Sequence, residues 1–154
     1  MLSNCENLES ITWGDSFDTH YAEDFSHMFD SSVSLESLDL TLFNTSSATD
    51  FEGMFNNCTK LQTLDISSFS TEHTDDIDNM FLDCKALKTL KLGSKFNPTG
   101  FTQTFGRCGS DYDSEMTIWC TDTFKQNLYA HSYAYWDFNP DKVTWLDCET
   151  GNPL

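Results

Sequence analysis

Residues 54–66, Met-Phe-Asn-Asn-Cys-Thr-Lys-Leu-Gln-Thr-Leu-Asp-Ile, contain the pattern on which most of the chain is built. The Met-Phe pair at 54–55 recurs at 28–29 and at 80–81, so the three copies are evenly spaced. Aliphatic residues downstream keep the same period, at Leu35, Leu61 and Leu87, at Leu38, Leu64 and Leu90, and at Leu40, Ile66 and Leu92. A fixed period of this length is typical of an architecture built from stacked repeats.

The hydrophobic period changes within each unit. In the first half, apolar residues recur three or four positions apart, which predicts a helix with one buried face, as at Ala48, Phe51, Met54, Phe55 and Cys58. In the second half, Leu64 and Ile66 alternate with polar residues, which predicts a short strand. Neither element can bury its apolar side alone, so we expect an α/β solenoid with parallel strands on one face and short helices on the other.

The repeat pattern fades near residue 108, and a different unit follows. We expect one domain in which residues 1–110 hold about four repeats, starting part-way through a unit, and residues 111–154 form an α/β cap. In the cap, residues 116–120 and 142–146 read as strands, and Asp122 reads as the N-cap of a helix that runs to about Tyr135. Such a terminal unit would cover the last repeat's core and its open strand edge.

Residues 54–71 best show the combination Met-Phe-x-x-Cys-x-x-Leu-x-x-Leu-Asp-Ile-x-x-Phe-x-Thr, which resembles the repeat of the BspA-like leucine-rich-repeat proteins of bacterial surfaces. The resemblance covers residues 1 to about 108, with a looser match in the cap, and it implies a right-handed leucine-rich-repeat solenoid. It also implies a secreted or wall-attached protein that adheres to host or partner-cell proteins. Ser32 in place of Cys and Lys91 in place of Asp depart from the pattern.

The composition and charge of the chain argue against several classes of binding partner. The chain has 25 acidic and 8 basic residues and a formal charge of −17, which argues against nucleic-acid binding. No run of 18 apolar residues occurs, so we expect no membrane insertion. Residues 1–59 contain 11 acids and no Lys or Arg, and this asymmetry favours a basic partner over an anionic membrane.

Polar residues that alternate with the buried leucines of the predicted strands form the candidate binding surface. We expect them to stand in columns across the units, with Asp65 attracting Lys91. The candidate ligand-binding residues are Ser37, Asp39, Thr41, Thr63, Asp65, Ser67, Thr89 and Lys91. Extended repeat faces commonly bind proteins. The alternative is that serine and threonine only solvate the sheet.

Two further sets of residues are candidates for structure or binding. Cys5, Cys58, Cys84 and Cys108 share one repeat position and are expected to be buried thiols, whereas Cys120 and Cys148 in the cap strands are the candidates for a disulfide. The cap is rich in aromatics, and most of its rings should pack against the last repeat. Trp119 and Trp136 are the candidates for stacking on a sugar ring.

The sequence contains no recognisable catalytic or cofactor motif. Its four histidines show no zinc spacing, and no nucleophile elbow or phosphate-binding glycine loop occurs. The acidic runs at 111–115 and at Asp75, Asp76 and Asp78 lack the full pattern of a calcium loop, and we interpret them as solvated. We therefore predict a non-enzymatic extracellular module that binds a protein, with no metal or cofactor. A structural spacer and a carbohydrate-binding module are the alternatives.

Overall fold

Four short parallel strands form one sheet, in the order β1-β2-β3-β4, within the part of the chain that the structure describes. The structure is a computed structural model and describes residues 2–74, 77–98, 100, 102–109, 115–131 and 140–154. Its elements are β1 (Thr63–Ile66), β2 (Thr89–Leu92), β3 (Met116–Cys120), the helix α1 (Asp122–His131), a 3-10 turn (Pro140–Lys142) and β4 (Val143–Asp147). The mixed α/β class and the parallel strands predicted for the later units and the cap are confirmed, whereas the equivalent residues 37–40 of the preceding unit do not form a strand.

The strands form where residues alternate between polar and apolar. In β1 and β2 every second residue is buried, and the two strands pair with equivalent residues opposite each other. The buried residues continue in register across all four strands as a row of Leu64, Leu90, Ile118 and Trp145. The period of two that predicts each strand therefore also aligns the strands with one another.

The segments predicted as short helices are successions of turns instead, so that prediction is wrong for the described residues. Between Phe25 and Ser32, the amides of Met28 and Ser32 donate to carbonyls three residues earlier, at N–O distances of 3.3 and 3.1 Å. His27 and Ser31 have φ of 50° and 59°. A positive φ at the third residue is what a type II turn requires, and it interrupts an α-helix.

Hydrogen bonds between neighbouring units explain why turns replace helices. The amides of Phe25 and Phe29 donate to the carbonyls of Asp50 and Met54, both at 2.9 Å, and Phe55 donates to the next unit in the same way. An α-helix would satisfy these amides internally, but here the adjacent unit supplies the acceptors, so the backbone groups stay paired. The three-to-four spacing still places the apolar side chains inside.

Stacked phenylalanines form the centre of the core. Phe29, Phe55 and Phe81 occupy one repeat position, with ring centroids 5.6 and 5.9 Å apart and rings within 8° of parallel, and Phe105 extends the stack at 5.2 Å. A second stack pairs Phe25 with Phe51 at 5.6 Å. Because each ring contacts its equivalent in the next unit, the repeat period of the sequence becomes a continuous apolar interior.

Cysteines line the same interior. Cys58, Cys84 and Cys108 are buried free thiols, as expected, while Cys5 is half-buried. The Cys58 thiol donates to the carbonyl of Phe29 at 3.2 Å. Burial raises the pKa of Cys58 and of Cys108 to about 12, so both thiols stay protonated at neutral pH. They act as small core residues.

The C-terminal strand, helix and strand extend the sheet. β3 pairs with β2 as β2 pairs with β1, and β4 follows at the edge. Thr121 caps the helix rather than the predicted Asp122, because its hydroxyl accepts the Phe124 amide at 3.0 Å. Phe124 then packs edge-on against Phe96 of the preceding unit, with centroids 5.7 Å apart. The predicted helix end near Tyr135 lies outside the described residues.

Candidate ligand-binding face

The polar residues of β1 and β2 stand in the predicted columns. Thr63 lies opposite Thr89, and Asp65 lies opposite Lys91. The Lys91 ammonium is 3.4 Å from Asp65 Oδ2, and both side chains are about half exposed (48% and 54%). The predicted attraction between these two residues is therefore formed at the surface, where water and salt weaken it.

A groove of about 420 Å³ crosses these columns. Six of the eight predicted binding residues line it, together with Leu38 and Leu64: the six are Ser37, Asp39, Thr63, Asp65, Thr89 and Lys91. Thr41 and Ser67 do not line the groove. Their hydroxyls instead donate hydrogen bonds to the carboxylates of Asp39 and Asp65. The groove therefore combines aliphatic side chains, hydroxyls and charges of both signs.

The two aspartates of the groove are held by equivalent turns. Asp39 Oδ1 accepts the Thr41 amide at 2.9 Å and the Thr41 hydroxyl at 2.7 Å. Asp65 Oδ1 accepts the Ser67 amide at 3.1 Å and the Ser67 hydroxyl at 2.7 Å. An Asp followed two residues later by Ser or Thr forms such a turn locally, so the sequence itself orients both carboxylates.

These contacts lower the pKa of both aspartates. Hydrogen bonds from the Thr41 amide and hydroxyl lower the pKa of Asp39. Burial raises the pKa of Asp65, but the Ser67 hydrogen bonds and the Lys91 charge outweigh it, and the net pKa lies below the ordinary value. Lys91 occupies Asp65 Oδ2, whereas Asp39 Oδ2 faces no protein donor among the described contacts. Asp39 can therefore accept a cationic group from a ligand.

The same face continues onto the C-terminal strands, beyond the residues that the repeat pattern predicts. Thr117 and Thr144 extend the threonine column beyond Thr89. Trp119 and Leu146 extend the column of Asp65 and Lys91. The alternation of residues 116–120 indicates which side Trp119 faces, but only the parallel pairing of β3 with β2 shows that it joins the groove columns.

Residues 1–119 match a protein family described as a Mycoplasma protein of unknown function, DUF285. The chain belongs to the DUF285 family, a family of BspA-related surface-protein repeats. Neither the curated proteins nor the solved structures include a match to this chain. The DUF285 match contains all eight predicted binding residues and Trp119, and it ends before Thr144 and Leu146.

None of the remaining described candidates lines the groove itself, although Trp119 stands in one of its columns. Cys120 at the end of β3 and Cys148 in the turn just after β4 are free thiols, and the Cys148 amide donates to the Cys120 carbonyl at 3.0 Å. Trp119 is half-buried on the outer side of β3. Trp136 lies outside the described residues, and its contact with sugar stays a prediction.

Two kinds of feature are absent from the described ranges, a metal-ligating cluster and a membrane-spanning helix. No group of three or more His, Cys, Asp or Glu side chains there is arranged to hold a metal ion. Of the acidic runs weighed as calcium loops, 111–114, Asp75 and Asp76 lie outside those ranges, and Asp78 accepts the Thr102 amide at 2.6 Å. None of the described helices has the length and apolar character needed to cross a membrane.

Proposed function

We propose that the chain is a non-enzymatic, extracellular or cell-surface module that binds a basic segment of another protein through the groove. The observation that carries this proposal is the pair of ionised aspartates fixed in an open groove, one of them with a carboxylate oxygen left for a ligand. A cation placed there would gain a charge-assisted hydrogen bond without requiring the aspartate to reorganise.

A right-handed leucine-rich-repeat solenoid of the BspA-like type is part of this proposal. It is supported by parallel strands paired in equivalent register, by phenylalanines stacked from unit to unit, and by amides that donate to the next unit. Parallel strands joined through crossover segments are right-handed in almost all proteins. A stacked array of this kind presents its sheet as one extended surface, which suits adhesion to another protein.

The distribution of charge supports a basic partner. Before Lys60 the chain has 11 acids and no Lys or Arg, so the end of the groove that contains Asp39 lies in a strongly negative region. The field of these acids would raise the local concentration of a cationic partner and speed its association. Such an effect weakens as salt is added.

The test uses a variant carrying Asp39→Asn, Thr63→Val and Asp65→Asn together. Its binding to a fluorescein-labelled peptide of alternating Lys and Ser is measured by fluorescence anisotropy at physiological salt. We expect the affinity to fall by at least about ten-fold, since the charge-assisted contact to Asp39 and the negative charge of Asp65 are lost. Thermal stability should change little because all three residues are exposed.

The matched control is the variant Glu23→Gln/Glu52→Gln, which removes the same two charges from exposed residues outside the groove. It should retain most of the affinity. An equal loss in both variants would show that net charge alone attracts the peptide and would reject the groove as the site. Absence of saturable binding by the unaltered protein would favour the structural spacer instead.

A further inference from the structure

The outer face of the sheet changes chemistry from one end to the other. One column runs from Asp65 through Lys91 to Trp119 and Leu146, each residue opposite the next in the strand pairing. Asp39 lies in the groove at the acidic end, before β1. The face therefore offers carboxylates at one end and a large aromatic surface at the other.

A second column beside it is uniform. It consists of Thr63, Thr89, Thr117 and Thr144, one from each strand. A threonine hydroxyl both donates and accepts, so this column can bind the carbonyls and amides of a chain that crosses the strands. It offers no charge that would select one side chain over another. Selection must therefore come from the column that ends at Trp119.

Trp119 packs against the C-terminal segment of the chain. Gly151 lies against its ring, since a Cβ placed there would be 3.3 Å from the Trp119 Cζ3 atom. The indole is half-buried, which leaves part of the ring accessible on the face. A partly desolvated tryptophan that packs against a neighbouring segment is the kind of residue that contributes most to binding at protein interfaces.

We propose that this face binds an extended peptide with a Lys or Arg side chain four residues away from an aromatic or large aliphatic one. The basic side chain meets Asp39, and the apolar side chain meets Trp119. This inference rests on the proposed function and adds the chemistry of the ligand to it. Lys91 neutralises Asp65, so the free carboxylate of Asp39 provides the cationic position.

Strand geometry sets the spacing. Asp39 precedes Asp65 by one repeat, and Trp119 lies two strands beyond Asp65. If each of these three steps is roughly 4.8 Å, the distance from Asp39 to Trp119 is roughly 14 Å. An extended chain advances by roughly 3.3 Å per residue, so about four residues cover it. An even spacing also places both side chains on the same side of an extended peptide, as the contact requires.

The experiment compares two fluorescein-labelled Gly/Ser peptides, one with Arg and Trp four positions apart and one with Arg and Trp adjacent. The unaltered protein should bind the four-residue spacing about ten-fold more tightly, because only that peptide reaches Asp39 and Trp119 together. Asp39→Asn and Trp119→Ala should each abolish the preference, and the control Glu52→Gln should retain it. A third peptide, with Ala in place of its Trp, tests the aromatic contact without altering the protein.

The outcomes separate this inference from the function on which it rests. If Asp39→Asn weakens binding but spacing and Trp119 have no effect, the inference is overturned and the proposed function stands. If neither Asp39→Asn nor Trp119→Ala changes the binding of any peptide, both the inference and the proposed function are overturned. If Trp119→Ala abolishes binding to cellohexaose and leaves peptide binding unchanged, the aromatic end is a glycan site and the inference is likewise overturned.

Discussion

Gly93 lies where the backbone passes too close to the neighbouring unit for a side chain. A Cβ built on it would be 1.9 Å from the carbonyl oxygen of Ser67, a backbone atom that cannot move without disturbing the turn at the end of β1. Gly14, which has the equivalent place in the first repeat, has nothing within 4 Å. One repeat position therefore has different steric demands in different units.

Gly93→Ala is expected to lower the free energy of unfolding by about 1–3 kcal/mol, because the backbone must shift to admit the methyl group. Gly14→Ala is the matched control and should leave stability unchanged or slightly raised. Urea denaturation of both variants measures the difference. Equal stability of the two would show that the sheet relaxes around Gly93 at little cost.

Thr41 lowers the pKa of Asp39 through two hydrogen bonds, and Thr41→Val removes the one from its hydroxyl. We expect the pKa of Asp39 to rise part of the way to its ordinary value, since the amide bond remains. Because the folded pKa is depressed, the contribution of Asp39 to stability is present above its unfolded pKa and is lost as the pH falls through the folded pKa. The variant should therefore lose stability at neutral pH but not in strong acid.

Carboxyl ¹³C NMR across the acidic range measures this change residue by residue. Asp65 serves as the internal control, because its hydrogen bonds to Ser67 are unaltered and its pKa should stay where it is. An unchanged pKa of Asp39 in the variant would mean that the amide alone holds the carboxylate.

Among the elements, the turn segments show that the sequence pattern predicts burial better than backbone conformation. Their apolar residues are spaced as on a helix, and the buried positions that this spacing predicts are confirmed, including Met54, Phe55 and Cys58. The helical backbone that the same spacing predicts is wrong, because these segments are turns. Gly53, Asn57 and Asn79 have positive φ, and glycine and asparagine adopt that conformation more readily than other residues. Their recurrence is the signal in the sequence that indicates turns.

Gln103 also has a positive φ, 53°, although glutamine does not favour that conformation as glycine and asparagine do. Gln103→Gly should raise the free energy of unfolding by about 0.5–1 kcal/mol, because the left-handed strain exceeds the added entropy of glycine in the unfolded chain. Thr102→Gly, one residue away and also exposed, has no such strain to relieve and should lower stability. Thermal unfolding of the pair tests the turn geometry, and a loss of stability in both variants would contradict it.

Across the molecule as a whole, burial increases from the N-terminal unit toward the middle of the chain. No residue from Leu2 to Asp18 is fully buried, although Leu8, Trp13 and Phe17 pack against the core. From Phe25 onward the phenylalanines of successive units are covered on both sides. In stacked repeats, stability arises from such contacts between neighbours. The first unit is therefore expected to open before the rest.

Amide hydrogen exchange should show this gradient. We expect the hydrogen-bonded amides of Leu8 and Phe17 to exchange about a hundred-fold faster than those of Phe55 and Phe81, because local opening exposes little apolar surface in the first unit. Phe55 and Phe81 are the internal reference because both donate to a neighbouring unit. Uniform protection along the chain would show instead that all units unfold together.

Local patterns along the chain are enough to predict the repeat, the strands and most of the groove. The constant repeat period and the alternating polar positions fix which side chains are buried, and the Asp-x-Ser/Thr turns orient Asp39 and Asp65 through local hydrogen bonds. Two other features follow only from the folded chain, since both depend on contacts between distant residues. The carbonyls of neighbouring units bind the amides that would otherwise form helices. The pairing of β3 with β2 places Trp119 beside Lys91 on the candidate binding face.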